Sequence, residues 1–407
     1  MLGGLLILIL TGIASYSIVL NLKKSYPFLD TSFLMRMFFF HALLFFAYYG
    51  YTLFNSSDSK FYYEKVIRDF RGETWLSFYG TSTTFIEFIA YPFIKYLNFS
   101  YEAVMALFSW FGYLGFVFFY IFFKENIRFK HTWMGFDLVT LIFFLPNLHF
   151  WSASLGKGSI IFFALGLYFY GISKLKRRWI AAMFAGVLIY HIRPHILLVI
   201  LISSTIGFVF STKGLGFIWR VAFVLVASVA LYFIYQDVLS MVGVNDDELL
   251  TEGLDMSHRA SELGKASSGV DISNYSLPMQ LFTFIYRPLF VDAPGVLGIL
   301  VSFENVFYLL MTFWLLKSWK GFTYIIRADL LAKTCFFSFF TVSLALAQVS
   351  GNLGIAMRQK SQVMPLLLFV VVSFLDEQKM KQYKSRQYKL AMLNRAKKVE
   401  ELNSIKQ

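Results

Sequence analysis

Residues 102–123, EAVMALFSWFGYLGFVFFYIFF, carry a single charged side chain, and Lys124, Arg128 and Lys130 follow close behind. At about 1.5 Å per residue a helix of this length reaches roughly 33 Å, enough to cross a hydrocarbon core of about 30 Å. In such a medium backbone polar groups must be satisfied within the segment, so the stretch predicts a membrane-spanning helix. Working outward, the same reading applies to residues 2–20, 33–54, 135–151, 159–173, 179–192, 195–211, 217–238, 296–316, 329–348 and 362–375. Two further stretches, 85–97 and 279–294, are apolar but interrupted by Pro and polar residues, and read as half-helices or interfacial segments. The first run has no basic residue before it and no clear cleavage site, so it reads as a retained span and not as a signal peptide. The expected fold is therefore an all-α polytopic transmembrane bundle of about eleven spans plus two half-helices, with no large soluble domain.

Composition agrees. Of 407 residues, 57% are hydrophobic, 20% are aromatic (49 are Phe) and only 15% are charged, against ~25% charged in an average soluble domain. With 8 Pro, 26 Gly and one Cys the chain is neither collagenous, disordered nor disulfide-built. Cys335 lies in an apolar run and has no second cysteine to pair with. The net charge of +13 does not point to nucleic acid, because the excess sits in short loops and in the tail. Lys23 and Lys24, the 124–130 group, Lys174 to Arg178, Lys317 to Arg327 and the tail from Lys379 all fall on one side if 85–97 does not cross. By the positive-inside rule that side is the cytoplasm. The N-terminus is then outside and the C-terminus inside. Residues 1–375 form the transmembrane domain, with outer loops 55–84, 239–295 and 349–361 forming the site, and 376–407 form a basic cytoplasmic tail.

External loops should be poor in cations, yet Lys157, Arg193, Arg287 and Arg358 lie there, each near a helix end. Ionisable groups at membrane depth are costly and usually mark a pathway or ligand site. Four cations from four loops repel one another unless an anion lies between them, and a phosphate or pyrophosphate suits: Arg offers a bidentate fork, Lys a point charge. Plainer explanations stand beside this. Lys157 can snorkel, Arg287-Pro288 can cap a half-helix, Arg358 can touch headgroups with Gln359 and Lys360, and Asp58 with Lys60 can be a solvated loop pair. Glu87 and Glu304 lie near outer helix ends, and Glu304, beside Asn305, needs a partner, one of these arginines being expected. His191 and His195 have the spacing of zinc ligands on a helix. Pro194 disrupts that helix and no third ligand is near, so no metal is expected. Residues 239–280 are acidic (Asp246, Asp247, Glu248, Glu252) and Ser-rich, suited to a lid over an external site or to a flexible connector.

Four short motifs give the chain a resemblance to bacterial polysaccharide-assembly enzymes, the set that includes Wzy-type O-antigen polymerases, EpsG-like proteins and, more distantly, GT-C glycosyltransferases. They are Asp58 with Tyr62 and Tyr63; the Trp-Ser-x-x-Leu-x-Lys segment Trp151 to Lys157; Arg193-Pro194 between two short spans; and Gly351-Asn352 to Arg358 before the last span. Relatives often have an acidic residue after the Lys; here it is Gly158. The double-acidic signature of many GT-C enzymes is also missing. The resemblance implies a glycan on a polyprenyl phosphate or pyrophosphate, presented at the outer leaflet of a bacterial inner membrane, and glycosyl transfer to an acceptor hydroxyl. It implies Arg193, Arg287 and Arg358 as phosphate clamps with Lys157 helping, Asp58 as base with His191 or His195 as the alternative, and Tyr62, Tyr63 and Trp151 against sugar faces, with Lys60 and Asn352 in the binding loops. No nucleotide-binding loop appears, and no cofactor is expected. Membrane lipids and other assembly proteins are the remaining expected partners. Two readings compete: a transporter or flippase of the same lipid-linked glycan, and a non-catalytic scaffold of the assembly complex.

Overall fold

The structure, a computed structural model, describes the backbone of residues 2–210, 216–242, 269–272 and 274–405, and the side chains of these apart from 233–242, 349 and 395–405. It is built of helices. The long ones are α1 (Leu2–Ser25), α2 (Thr31–Phe54), α5 (Tyr101–Asn126), α8 (Lys157–Ser173), α9 (Leu175–Ile192), α10 (Pro194–Phe210), α11 (Phe217–Val242), α13 (Gly295–Leu316), α15 (Leu330–Val349) and α17 (Met364–Ile405). Shorter ones are α3 (Asp58–Ile67), α4 (Thr83–Tyr91), α6 (Leu138–Phe143), α7 (Pro146–Ser152), α12 (Leu277–Tyr286), α14 (Trp319–Arg327) and α16 (Leu353–Lys360). Among the described residues the only sheet is a two-stranded hairpin, β1 (Thr132–Trp133) with β2 (Phe136–Asp137). Five helices, α1, α2, α5, α13 and α15, are long and apolar enough to cross a membrane; α8, α10, α12 and parts of others are shorter and apolar.

The expected single span at 135–151 is corrected by the structure. The hairpin occupies its start, and the helical part breaks between α6 and α7 at Leu145-Pro146. Pro146 has no N–H to donate and forces the residue before it out of the helical region, so it can open α7 but cannot continue α6. The half-helices expected at 85–97 and 279–294 appear as α4, ending in a single wide turn at Pro92–Tyr96, and as α12. Most of the proposed lid falls outside the described residues. Its described end runs beside the start of α16, where the Val270 N–H donates to the Gly351 carbonyl at 2.8 Å.

The core is aromatic and tightly packed, with Tyr113, Phe116, Phe119, Phe122 and Phe123 of α5 buried against α8 and α17. Close approach needs glycine at particular points. A Cβ on Gly112 of α5 would lie 2.0 Å from the Ser152 carbonyl oxygen of α7. Beside it, His41 of α2 and His149 of α7 meet Nδ1 to Nδ1 at 2.9 Å, while their Nε2 atoms lie 2.9 Å from the Ser109 and Phe143 carbonyls.

Two ends of the bundle differ in chemistry. At one, Arg178 clasps Glu125 with Nη1 and Nη2 at 2.8 and 2.7 Å and lies over the Tyr170 ring at 3.9 Å. There too Asp376 accepts the backbone N–H groups of Arg128 and Phe129 at 3.0 and 2.8 Å. At the other, the Ser82 N–H before α4 donates to the His191 carbonyl at 2.6 Å, and the Tyr63 hydroxyl of α3 donates to the Phe99 carbonyl at 3.1 Å. The 17 residues of α8 put about 25 Å between the two ends.

Candidate functional site

The second end gathers side chains from five elements. Ser57 caps α3, accepting the Ser59 N–H at 3.3 Å. A hydroxyl ladder then fixes α3 to α2 and α5: Tyr48 to Ser57 at 3.1 Å, Ser57 to Ser59 at 2.9 Å, Ser59 to Tyr101 at 2.6 Å. This sets Asp58 and Tyr62, four apart and therefore on one face, toward the turn between α7 and α8. That turn packs tightly: a Cβ on Gly158 would lie 2.2 Å from the Trp151 carbonyl oxygen. Position 158 therefore needs glycine here. Asp58 and, more weakly, Glu87 act on the Lys157 ammonium through space.

Trp151, Gly156, Lys157, Asp58, Tyr62 and Arg358 line one cleft. Arg358 Nη1 donates to Asp58 Oδ2 at 2.5 Å, joining residues 300 apart in sequence. Lys157 Nζ donates to Ser82 Oγ at 2.7 Å. Arg193 stands at the C-terminal cap of α9, immediately before Pro194 opens α10. Its side chain is only 7% exposed. Among the described residues its guanidinium has neither a hydrogen-bond acceptor nor a carboxylate within pairing distance. The charges that act on it and on which it acts are Arg358 and Lys157, with the Tyr62 phenol also in range. Glu87 belongs elsewhere, to Arg71 and to Lys65 at 3.8 Å.

The electrostatics follow from this crowding. Burial, with Arg358 adding, pulls the Arg193 guanidinium down to about 10; it is still charged at neutral pH. Burial, then Arg193 and Arg358, pull the Lys157 ammonium down to about 8. Burial acts on Arg358 in the same sense, but Asp58 outweighs it and holds that guanidinium above the ordinary arginine value. Burial pushes the Tyr62 phenol up to about 12.

Other expected site residues are placed elsewhere. Arg287 does not join the cluster; its Nε donates to Asp292 five residues on. Lys60 turns back to the Thr52 carbonyl at the end of α2. Tyr63 packs edge-on against Tyr101. Asn352 caps α16, accepting the Ile355 N–H at 3.1 Å. His191 is engaged at both nitrogens: Nδ1 donates to the Val187 carbonyl at 2.9 Å, so Nε2 accepts from the Tyr79 hydroxyl at 2.9 Å. His195 is exposed on the first turn of α10. Trp151 is half-buried, its Nε1 donating to Asn147 Oδ1 at 2.9 Å.

Behind the cleft lies a polar network in which the sequence reading missed the central member, Lys360. Its Nζ is fully buried and donates to the Arg287 carbonyl at 2.7 Å, to Asn305 Oδ1 at 2.7 Å and to the Ile285 carbonyl at 3.3 Å. Glu304 accepts the Asn147 N–H at 2.5 Å and the Tyr308 hydroxyl at 3.0 Å. The cation facing it is Lys360, not an arginine, which corrects the expected partner. Asn147 Nδ2 donates to the Met357 carbonyl at 3.1 Å, so the network reaches the residue before Arg358.

A third feature adjoins the site. Helices α8 to α11 line an apolar cavity of about 720 Å³, running from Leu175 and Trp179 at the clasped end to Val187 and His191. From His191 the path to the cations is short, through Ser82 to Lys157. Comparisons of the chain with family models, curated proteins and solved structures return no match.

Proposed function

We propose that the chain is a membrane-embedded glycosyltransferase of the polysaccharide-polymerase kind. It takes a glycan from a polyprenyl-(pyro)phosphate carrier at the outer leaflet of a bacterial cytoplasmic membrane and joins it to an acceptor sugar. In this reading the helices make eleven traverses and the Arg193 end faces outward. The observation that carries it is Arg193, a nine-tenths buried guanidinium with no anion beside it, facing two further cations. Keeping such a charge unpaired is expensive, and a polyanionic ligand removes the expense. The apolar cavity that ends beside the cluster suits the hydrocarbon chain of the same carrier.

The chemistry follows from the placement. The acceptor hydroxyl attacks the anomeric carbon, and the bond from that carbon to the carrier phosphate breaks. Charge grows on the leaving phosphate, where Arg193 and Lys157 stabilise it, joined by Arg358 once it leaves Asp58. Asp58 takes the acceptor proton, which requires Arg358 to transfer its Nη1 hydrogen bond from Asp58 to the phosphate as the ligand enters. Donor arrival thus frees the base. The test is purified protein in nanodiscs, given a polyprenyl-pyrophosphate oligosaccharide and analysed by mass spectrometry. Wild type should lengthen the glycan and Arg193→Met should not. Binding of the donor without formation of any glycosidic bond would refute the transferase reading.

A further inference from the structure

The basic end of the bundle holds a second charged cavity that the transferase chemistry does not use. Helix α17 is 42 residues long, about 63 Å and so about twice the depth of a hydrocarbon core. Its first turns are buried, but from Lys381 to Asn394 every residue is exposed, so the helix emerges from the bundle. Helix α14 lies against the point of exit, where the Tyr324 hydroxyl donates to Ser373 Oγ at 2.7 Å and its ring packs 5.4 Å from Phe374. Between α14 and the emerging stretch of α17 is a groove lined by Lys320, Thr323, Lys381, Ser385, Arg386 and Lys389, with Gln378 and Gln382 on its wall.

The groove is rich in donors and short of anions. Of its four cations, Lys381 has a carboxylate, Glu377 at 2.5 Å. Lys320, Arg386 and Lys389 have no ion pair among the described residues. Four like charges gathered on one groove make a field that favours an anion. The other side of α14 says where that anion comes from. Trp319, Phe322 and Ile326 stand at i, i+3 and i+7, one helix face, and are 77%, 44% and 70% exposed. A short helix with bare apolar residues on one face and a basic groove on another is built to lie in a bilayer interface.

We propose that this groove binds the phosphate headgroup of an anionic phospholipid, with α14 seated in the interface and its apolar face among the acyl chains. Basic pockets between helices on the cytoplasmic side are suited to such headgroups. The bound lipid ties α14 to the emerging part of α17. The proposal uses the membrane placement of the chain and is independent of glycosyl transfer.

The test uses the full chain in nanodiscs of phosphatidylcholine with or without phosphatidylglycerol, read by native mass spectrometry of retained lipid and by Trp fluorescence. Wild type should retain phosphatidylglycerol in preference to phosphatidylcholine. At about 1 kcal/mol per basic residue, Lys320→Gln/Arg386→Gln/Lys389→Gln should weaken that retention by about 100-fold. All three side chains are exposed, so folding should be unaffected, and Lys320→Arg/Lys389→Arg should keep the preference. Equal retention of the two lipids overturns the proposal, as does equal retention by wild type and the triple variant. So does saturation by inorganic phosphate or by RNA that phosphatidylglycerol fails to displace.

Discussion

Replacing Arg193 with methionine should separate binding from stability in opposite directions. Its fall from the ordinary arginine value to about 10 corresponds to about 3 kcal/mol spent on holding the charge, at about 1.4 kcal/mol per pH unit. Methionine fills a similar volume without that charge and relieves repulsion from Arg358. The ligand-free protein should therefore keep its stability or gain up to about 3 kcal/mol. Pyrophosphate binding should weaken, because each lost charge-assisted hydrogen bond is worth about 1.5–3 kcal/mol, or roughly 10- to 150-fold. Arg193→Lys keeps charge but loses the planar fork, and should fall between the two. Thermal unfolding in detergent, with and without pyrophosphate, reads stability, and titration calorimetry reads affinity. If Arg193→Met lowers ligand-free stability by about 3–5 kcal/mol, as removal of one member of a buried pair does, and leaves pyrophosphate affinity unchanged, the reasoning fails.

Three further outcomes are expected. Lys157, held at about 8, is charged below that pH and neutral above it, so pyrophosphate affinity should fall as pH rises from 7 to 9, and Lys157→Arg should flatten the profile. Lys360→Met leaves the Arg287 and Ile285 carbonyls and Asn305 Oδ1 without their shared donor, and should cost about 3–5 kcal/mol in denaturant unfolding. Gly158→Ala places a Cβ 2.2 Å from the Trp151 carbonyl; the turn between α7 and α8 has to open, with a shift in Trp emission and a loss of about 1–3 kcal/mol.

Hydropathy made the helices legible because burial in lipid or core imposes the same apolar length on each. It misread 135–151, where Pro146 cuts an apolar run into two short helices that composition alone joins. The cleft was legible in its cations and in Asp58, since charges beside helix ends stand out against so apolar a chain. Partner choice was not. Arg287 is satisfied by Asp292 and Lys60 by the Thr52 carbonyl, through local geometry that residue types do not reveal. Lys360 was hidden by its neighbours: two positions from Arg358 on a helix, it projects to a different face and enters the core while Arg358 lines the cleft. Helix α14 was read only as a basic loop, because Lys317, Lys320 and Arg327 outweigh its apolar spacing, and its contact with α17 joins segments about fifty residues apart.

The central claim is most directly tested by analysing lipid-linked glycans in membranes of cells lacking the chain, complemented with wild type or with Arg193→Ala. The account predicts single glycan units accumulating on the carrier at the outer leaflet, loss of long polymer, and restoration by wild type alone. Units held at the inner leaflet would make the chain a transporter, and full restoration of polymer by Arg193→Ala would remove the buried arginine from the mechanism.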